Sequence, residues 1–435
     1  MSATTESPQP TQGPDDTPAG VTRTLATQGA WKAPIALAVF AVAEILLALF
    51  KARDGDTTFR LASDTDFFDL PEITVSSTGT LWTVVVLLVV IAAVAALLVQ
   101  RGGRTPLWLL ALFSVLALIG FLAWAAAGAA LPVVGLLGGS IALAVPLVFG
   151  ALGGVLGERA GVVNIAIDGQ LLFGAFAAAV FGTLIGSPWG GLVAAMVAGG
   201  LVALVLGFFA ISYFVDQVIV GVVLNVLVIG ITSFLFGQLL SDDPRKYNEP
   251  PHFDRVPIPL LGKIPVIGPV MFRQTVLVYL MYAAVLIVAW ALYRTKWGLR
   301  VRAVGEHPKA ADTVGIKVNR TRYTTLLIAG LVAGAGGATY TLVSVTQFGE
   351  EMTGGAGYIA LAAVIFGRWD PIRATLAALL FGFSTNLSGV LSVIGSPVPS
   401  QFMLMLPYVV TIVAVAGLAG KSRPPAADGV PYKKG

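Results

Sequence analysis

Residues 81–99 read Leu81-Trp-Thr-Val-Val-Val-Leu-Leu-Val-Val-Ile-Ala-Ala-Val-Ala-Ala-Leu-Leu-Val99 and contain no charged side chain. A run of this length and uniformity fits the ~20 apolar residues that carry a helix across a bilayer. Working outward, the chain holds about twelve such segments: 33–50, 81–99, 106–127, 136–156, 169–185, 190–212, 218–240, 275–293, 324–343, 357–366, 372–387 and 402–418. The segment 357–366 is too short to cross as a regular helix and reads as a half-helix buried against its neighbours, where irregular backbone at membrane depth is tolerated. The expected class is therefore an all-α polytopic membrane protein. Composition agrees: hydrophobic types make up 56% of the 435 residues and charged types 11%, against about 25% in soluble proteins. The chain has no cysteine and only His252 and His307, so disulfides, thiolate metal sites and a histidine metal cluster are excluded, and no metal site is expected. A net charge of +4 is small for a nucleic-acid binder, and none is expected as a partner.

Orientation follows from where the basic residues lie. Between Tyr293 and Tyr323 stand Arg294, Lys296, Arg300, Arg302, Lys309, Lys317, Arg320 and Arg322 against only Glu306 and Asp312, a local balance of +6. That loop is assigned to the cytoplasm. Counting spans outward places both termini there as well, with 51–79 and 241–273 outside. Residues 1–30, rich in Thr, Pro, Ser and Gly, lack the large apolar side chains that offset ordering entropy and are expected to be a disordered cytoplasmic tail. They lack the basic start and cleavage pattern of a signal peptide. Glycine, at 50 residues, recurs at four-residue spacing in Gly150/Gly154, Gly153/Gly157 and Gly330/Gly334. Close helix packing within one bundle is the simpler reading of these pairs, and dimerisation the alternative.

Three polar stretches interrupt the apolar pattern. Residues 157–170 carry Glu158, Arg159, Asn164, Asp168 and Gln170 between two spans. At membrane depth such groups face a bundle interior or a water-filled path, whereas at the cytoplasmic edge water can solvate them as an ordinary loop. Asp216 begins a second stretch, and Asn225 lies about two and a half turns into the following span, as a path residue or as helix–helix glue. Ser384, Thr385 and Asn386 make a similar polar step in the span 372–387. Glu44, the lone acid of the first span, reads as a packed or snorkelling side chain in preference to a proton carrier. In the basic loop, Pro308 suits a first helical position and Gly315 a stop, which predicts a short helix over 308–314. This helix docks a cytoplasmic partner, or the loop only sets topology and touches anionic lipid. Residues 417–422 imitate a phosphate loop, but that pattern needs glycine where Val415 stands. No nucleotide site, hydrolytic triad or catalytic residue is expected in this chain.

Residues 157–170, 215–225 and 298–316, with Phe366-Gly-Arg-Trp-Asp-Pro371 and Arg423-Pro-Pro-Ala-Ala427, resemble in order and spacing the permease subunits of bacterial ABC importers of the branched-chain amino acid and ribose type. The nucleoside and simple-sugar branch is the most similar. The resemblance spans roughly 130–430. It implies a translocation subunit without its own ATPase site, in the plasma membrane, working with separate ATP-binding subunits, a second homologous permease and an extracellular substrate-binding lipoprotein. It assigns the role of coupling helix to Glu306, His307, Pro308, Lys309, Ala310, Ala311 and Asp312, and makes Glu158, Arg159, Asn164 and Asp168 a family motif near the pore. Asn225, Ser384, Thr385 and Asn386 are expected along a path for a neutral solute. The family core has about ten segments, so 31–128 holds two additional N-terminal segments and the first core helix, 129–420 the permease core and 421–435 a cytoplasmic tail. A branched-chain amino acid permease is the nearest alternative. An ion-coupled secondary carrier is the alternative from another class, disfavoured because the spans hold almost no carboxylate.

Overall fold

The computed structural model describes residues 31–62, 70–399, 401, 402, 405 and 423–434. The expected tail 1–30 and nearly all of the expected segment 402–418 lie outside these residues. Among the described residues, ten helices are long and apolar enough to span a membrane. They are α1 (Lys32–Phe50), α2 (Ser77–Gln100), α3 (Leu107–Ala125), α4 (Val133–Arg159), α5 (Ile167–Ile185), α6 (Pro188–Ser212), α7 (Gln217–Leu240), α8 (Val276–Arg294), α11 (Val318–Ser344) and α13 (Pro371–Val393). Between α8 and α11 lie α9 (Lys296–Glu306) and α10 (Pro308–Thr313), and α12 (Ala356–Phe366) precedes α13. The last turns of α6, α7 and α11 are π-helical.

The chain divides into two compact units, residues 1–58 with 74–130, and residues 59–73 with 131–435. In the first, α1, α2 and α3 pack on one another through Leu37, Ala41, Leu88, Ile91, Leu109 and Phe113. Glu44 is buried in this bundle, and a side chain at Gly120 would sit 2.8 Å from Val84 and 3.5 Å from the Glu44 carboxylate. The third helix, read from sequence as the head of the core, thus packs with the two segments before it.

The second unit is built around α4, α5, α6 and α11. Few large side chains separate these helices, because glycine and alanine line their contacts. Gly330 and Gly334 of α11 meet Gly199 and Ala195 of α6 so closely that a Cβ at Gly334 would lie 2.2 Å from the Ala195 carbonyl. The two glycine rows of α4 serve different neighbours: Gly153 and Gly157 face Ala329 and Leu326 of α11, while Gly150 and Gly154 face Ala360 and Val364 of α12. Each of the three predicted pairs is used inside this unit, where close backbone approach supplies the van der Waals contact that lipid cannot drive. At ~1.5 Å per residue, the eleven residues of α12 reach about half of a ~30 Å hydrocarbon layer. It is held against α4, α5 and α13, as the half-helix reading anticipated.

Two short strands, β1 (Arg255–Pro257) and β2 (Arg273–Thr275), pair antiparallel with Val256 opposite Gln274. A cavity of about 420 Å³ lies between this ribbon and the start of α4, lined by Gly135, Gly138, Gly139, Arg255, Arg273 and Gln274.

Candidate coupling and pore-motif site

The polar stretch 157–170 is neither a plain loop nor a lone path. After α4 ends, Gly161 at φ +82 turns the chain back, and α5 starts at Ile167. Glu158, Asn164, Asp168 and Gln170 are buried and Arg159 is half-buried. Asn164 and Gln170 are fully buried and exchange two amide hydrogen bonds of 3.1 Å, which satisfies a donor and an acceptor on each. The Val163 N–H donates to Gln217 Oε1 at 2.7 Å. Asn225 accepts from the Gly169 N–H at 2.8 Å and donates to the Ile165 carbonyl and the Tyr358 hydroxyl. Asp216, at the start of α7, caps that helix by accepting from Val218 and Ile219.

Asp168 reaches the half-helix. Its Oδ1 accepts the Gly357 N–H at 3.0 Å, in the first turn of α12, where four backbone donors lack intrahelical partners and the helix dipole favours an anion. Only glycine fits at 357, since a Cβ there would lie 2.2 Å from the Asp168 nitrogen. At the far end of α12, Trp369 donates its indole N–H to Glu158, and its carbonyl accepts from Arg159 Nε at 2.9 Å. Arg368 and Trp369 both have positive φ, 55° and 57°, an unusual strain for bulky side chains that these two bonds hold in place. Asp370 then caps α13 and accepts from the Tyr293 hydroxyl at 3.0 Å. Glu158, Arg159 and Asp168 therefore brace both ends of the half-helix, Asn164 ties the turn to Gln170 of α5, and the Val163 backbone holds Gln217 at the start of α7. Asn225 joins them, although it lies 57 residues beyond Asp168 in the chain.

Ser384, Thr385 and Asn386 lie elsewhere. The two hydroxyls bond carbonyls one turn back on their own helix, Leu380 and Phe381. The Asn386 amide donates to the Leu136 carbonyl of α4 at 2.6 Å and crowds Gly139, beside the cavity described above.

The basic loop is almost wholly helical. Thr295 caps α9 by accepting from Gly298, and α9 buries Gly298, Val301, Val304 and Gly305 while Arg300 and Glu306 stay exposed. Pro308 opens α10 and Gly315 at φ +84 follows its end, as expected. His307, Lys309 and Ala310 are exposed, Pro308 and Asp312 half-buried and Ala311 buried. Gly305 touches the motif directly: a Cβ there would lie 2.2 Å from the Arg159 carbonyl. Gly305, which immediately precedes the predicted coupling residues 306–312, thus meets the predicted pore motif at a contact of backbone on backbone.

Sequence reasoning assigned no role to Gln217, Trp369, Tyr358 or the C-terminal residues. Trp369 lies in the stretch 366–371, and its indole N–H, a donor that needs a partner when the ring is buried, was a usable signal. The amphipathic helix α9 was also missed, although Val301, Val304 and Gly305 recur at helical spacing.

Residues 136–415 match the family described as branched-chain amino acid transport system / permease component. The chain belongs to this family. It is 42% identical over 294 residues to the guanosine ABC transporter permease protein NupQ of Bacillus subtilis, covering 65% of this chain and 91% of that protein. It is 38% identical over 289 residues to the nucleoside ABC transporter permease protein NupC of Lactococcus lactis, 64% of this chain and 90% of the relative. A putative glucose ABC transporter permease protein, TsgC13 of Haloferax volcanii, is 33% identical over 284 residues, 60% of this chain and 84% of the relative. No solved structure matches this chain. As a permease component, the chain is a membrane transport subunit of the ABC type, a class that leaves ATP hydrolysis to other subunits. The ABC class supplies ATPase and binding-protein partners.

Proposed function

We propose that this chain is a translocation subunit for nucleosides, with simple sugars the nearest substrate class, and that it works as one half of a permease pair in the cell membrane. The observation that carries the mechanism is the contact of Gly305 with Arg159, which ties the end of α9, immediately before α10, to the motif bracing the half-helix. An ATPase closing on α10 can bias the membrane subunit only by contacting its two states differently, and this junction is where such a difference reaches the spans. His307, Lys309 and Ala310 form the docking face for the ATPase. Orientation follows the basic residues: α9 and α10 lie in the cytoplasm, and with a twelfth segment over 402–418 both termini lie there too. The similarity to permeases named for guanosine and nucleosides supports that substrate class over branched-chain amino acids. Similarity to a second guanosine permease, NupP of Bacillus subtilis, at 26% identity, supports a pair of unlike permeases.

The test is Lys309→Glu combined with Ala310→Arg, on the exposed face. Loss of ATPase co-purification together with uptake of labelled nucleoside, with normal membrane insertion, is the expected outcome. Retained co-purification and uptake would remove α10 from the interface.

A further inference from the structure

The C-terminal residues 423–434 bond to the machinery above at point after point. The Ala427 N–H donates to the Gly305 carbonyl at 2.9 Å, and the Ala426 N–H to the Glu306 carboxylate at 3.2 Å. The Ala427 carbonyl lies against Gly161, where a Cβ would be 3.0 Å from it and 2.8 Å from Arg322 Nη2. Arg322 is 1% exposed, and its Nη1 donates to the Val430 carbonyl at 3.0 Å. Asp428 faces both Arg322 and Glu158. Gly429, at φ +73, brings the segment against Val163. Tyr432 is buried with Val304, Ala311 and Val318, and its hydroxyl pairs with Asp312. Lys433 sits over the Phe214 ring at 5.3 Å.

These contacts divide among four elements: the α9–α10 pair, the turn after α4, the start of α11 and the connection between α6 and α7. Two of the contacts fall at the Gly305–Arg159 junction itself, on the Gly305 carbonyl and beside Gly161. Tyr432 is the one aromatic among the four buried residues of the cluster that holds α9, α10 and α11 together. We infer that the C-terminal segment is a positioning clasp that makes the coupling pair and the pore motif move as one body, so that displacement of α10 reaches Glu158 and Asp168 undiminished. This rests on the reading of α10 as the ATPase contact. Glu306 and Asp312, the two acids of the coupling stretch, face the clasp, so their role is to hold the segment, while the exposed His307, Lys309 and Ala310 meet the partner.

Loss of a clasp differs from loss of a docking face. Without the clasp the ATPases still bind and hydrolyse ATP, but their movement is dissipated at the loosened junction. The reconstituted complex is assayed for ATPase co-purification, hydrolysis rate and ATP consumed per nucleoside imported, with the chain ended after Pro424, with Tyr432→Ala, and with Tyr432→Phe. The truncated chain and Tyr432→Ala should keep the ATPases and hydrolyse within twofold of the unaltered complex, while ATP consumed per nucleoside rises at least fivefold. Tyr432→Phe, which keeps the buried ring, should restore the ratio to within twofold. Should the truncated chain fail to accumulate, the two point variants decide alone. An unchanged ratio overturns the clasp, and so does loss of the ATPases, which would make the segment part of the docking face. Failure of the α10 reading shows separately, as normal co-purification by the Lys309→Glu, Ala310→Arg variant.

Discussion

Asp168 shows how much one side chain holds. It sits at the start of α5, yet the donor it satisfies is the Gly357 N–H, 189 residues away. Asp168→Ala leaves that buried donor unpaired, a cost of about 1–3 kcal/mol, and removes the anion from the helix N-terminus. A lowered midpoint of thermal unfolding in detergent is expected, with Asp168→Asn intermediate because its amide oxygen still accepts; equal midpoints for all three proteins would contradict the bracing role. The residue types were legible in the sequence. Polar groups cannot be left bare near lipid, and the positions of Glu158, Asn164, Asp168 and Asn225 announced that something satisfies them. What satisfies them was not legible, because Trp369, Gln170, Gly357 and Gly169 are fixed by the way the helices pack.

At the scale of elements, α10 and the half-helix α12 follow from local chemistry: Pro308 and Gly315 mark the one, and insufficient length marks the other. The docked C-terminal segment does not, since its residues carry little apolar periodicity and their partners come from four separate elements. Its docking depends on pH. Burial pushes the Asp428 carboxyl up to about 7, against the opposing pull of the Gly429 backbone and of Arg322. The acid facing it is Glu158 and the base Arg322. A carboxyl with a raised value in the docked state binds its proton more tightly there, so docking is strongest below the ordinary value of 3.8 and weakens as pH rises towards about 7. The chain has no cysteine, so Lys434→Cys gives a single labelling point. An environment-sensitive dye there should report progressive release between those two pH values, and Asp428→Asn should flatten the curve. A flat curve for the unaltered segment would contradict the burial of Asp428.

Residues 136–415 carry the family match, and α1, α2 and α3 form a separate compact unit with its own apolar contacts. Removal of residues 1–130, which takes the first unit and the short 59–73 stretch of the second, should leave nucleoside uptake within about threefold once expression is normalised, since Gly305 of α9 and the motif it meets both lie within 131–435. Uptake that disappears while the shortened chain still inserts would make the first unit part of the transport machinery. By itself, the sequence determined that lipid is the solvent, where nearly every span lies, and which loop gathers the positive charge. These are properties of runs of neighbouring residues, set by hydrophobic length and charge count. Only the tertiary structure decided that the charged loop touches the polar motif through Gly305, that Asp168 and Trp369 brace a half-helix, and that residues 423–434 return to clasp the junction. Those pairings join positions as much as 211 residues apart within the motif and further still at the C-terminal segment, and small residues permit them only where two backbones actually meet.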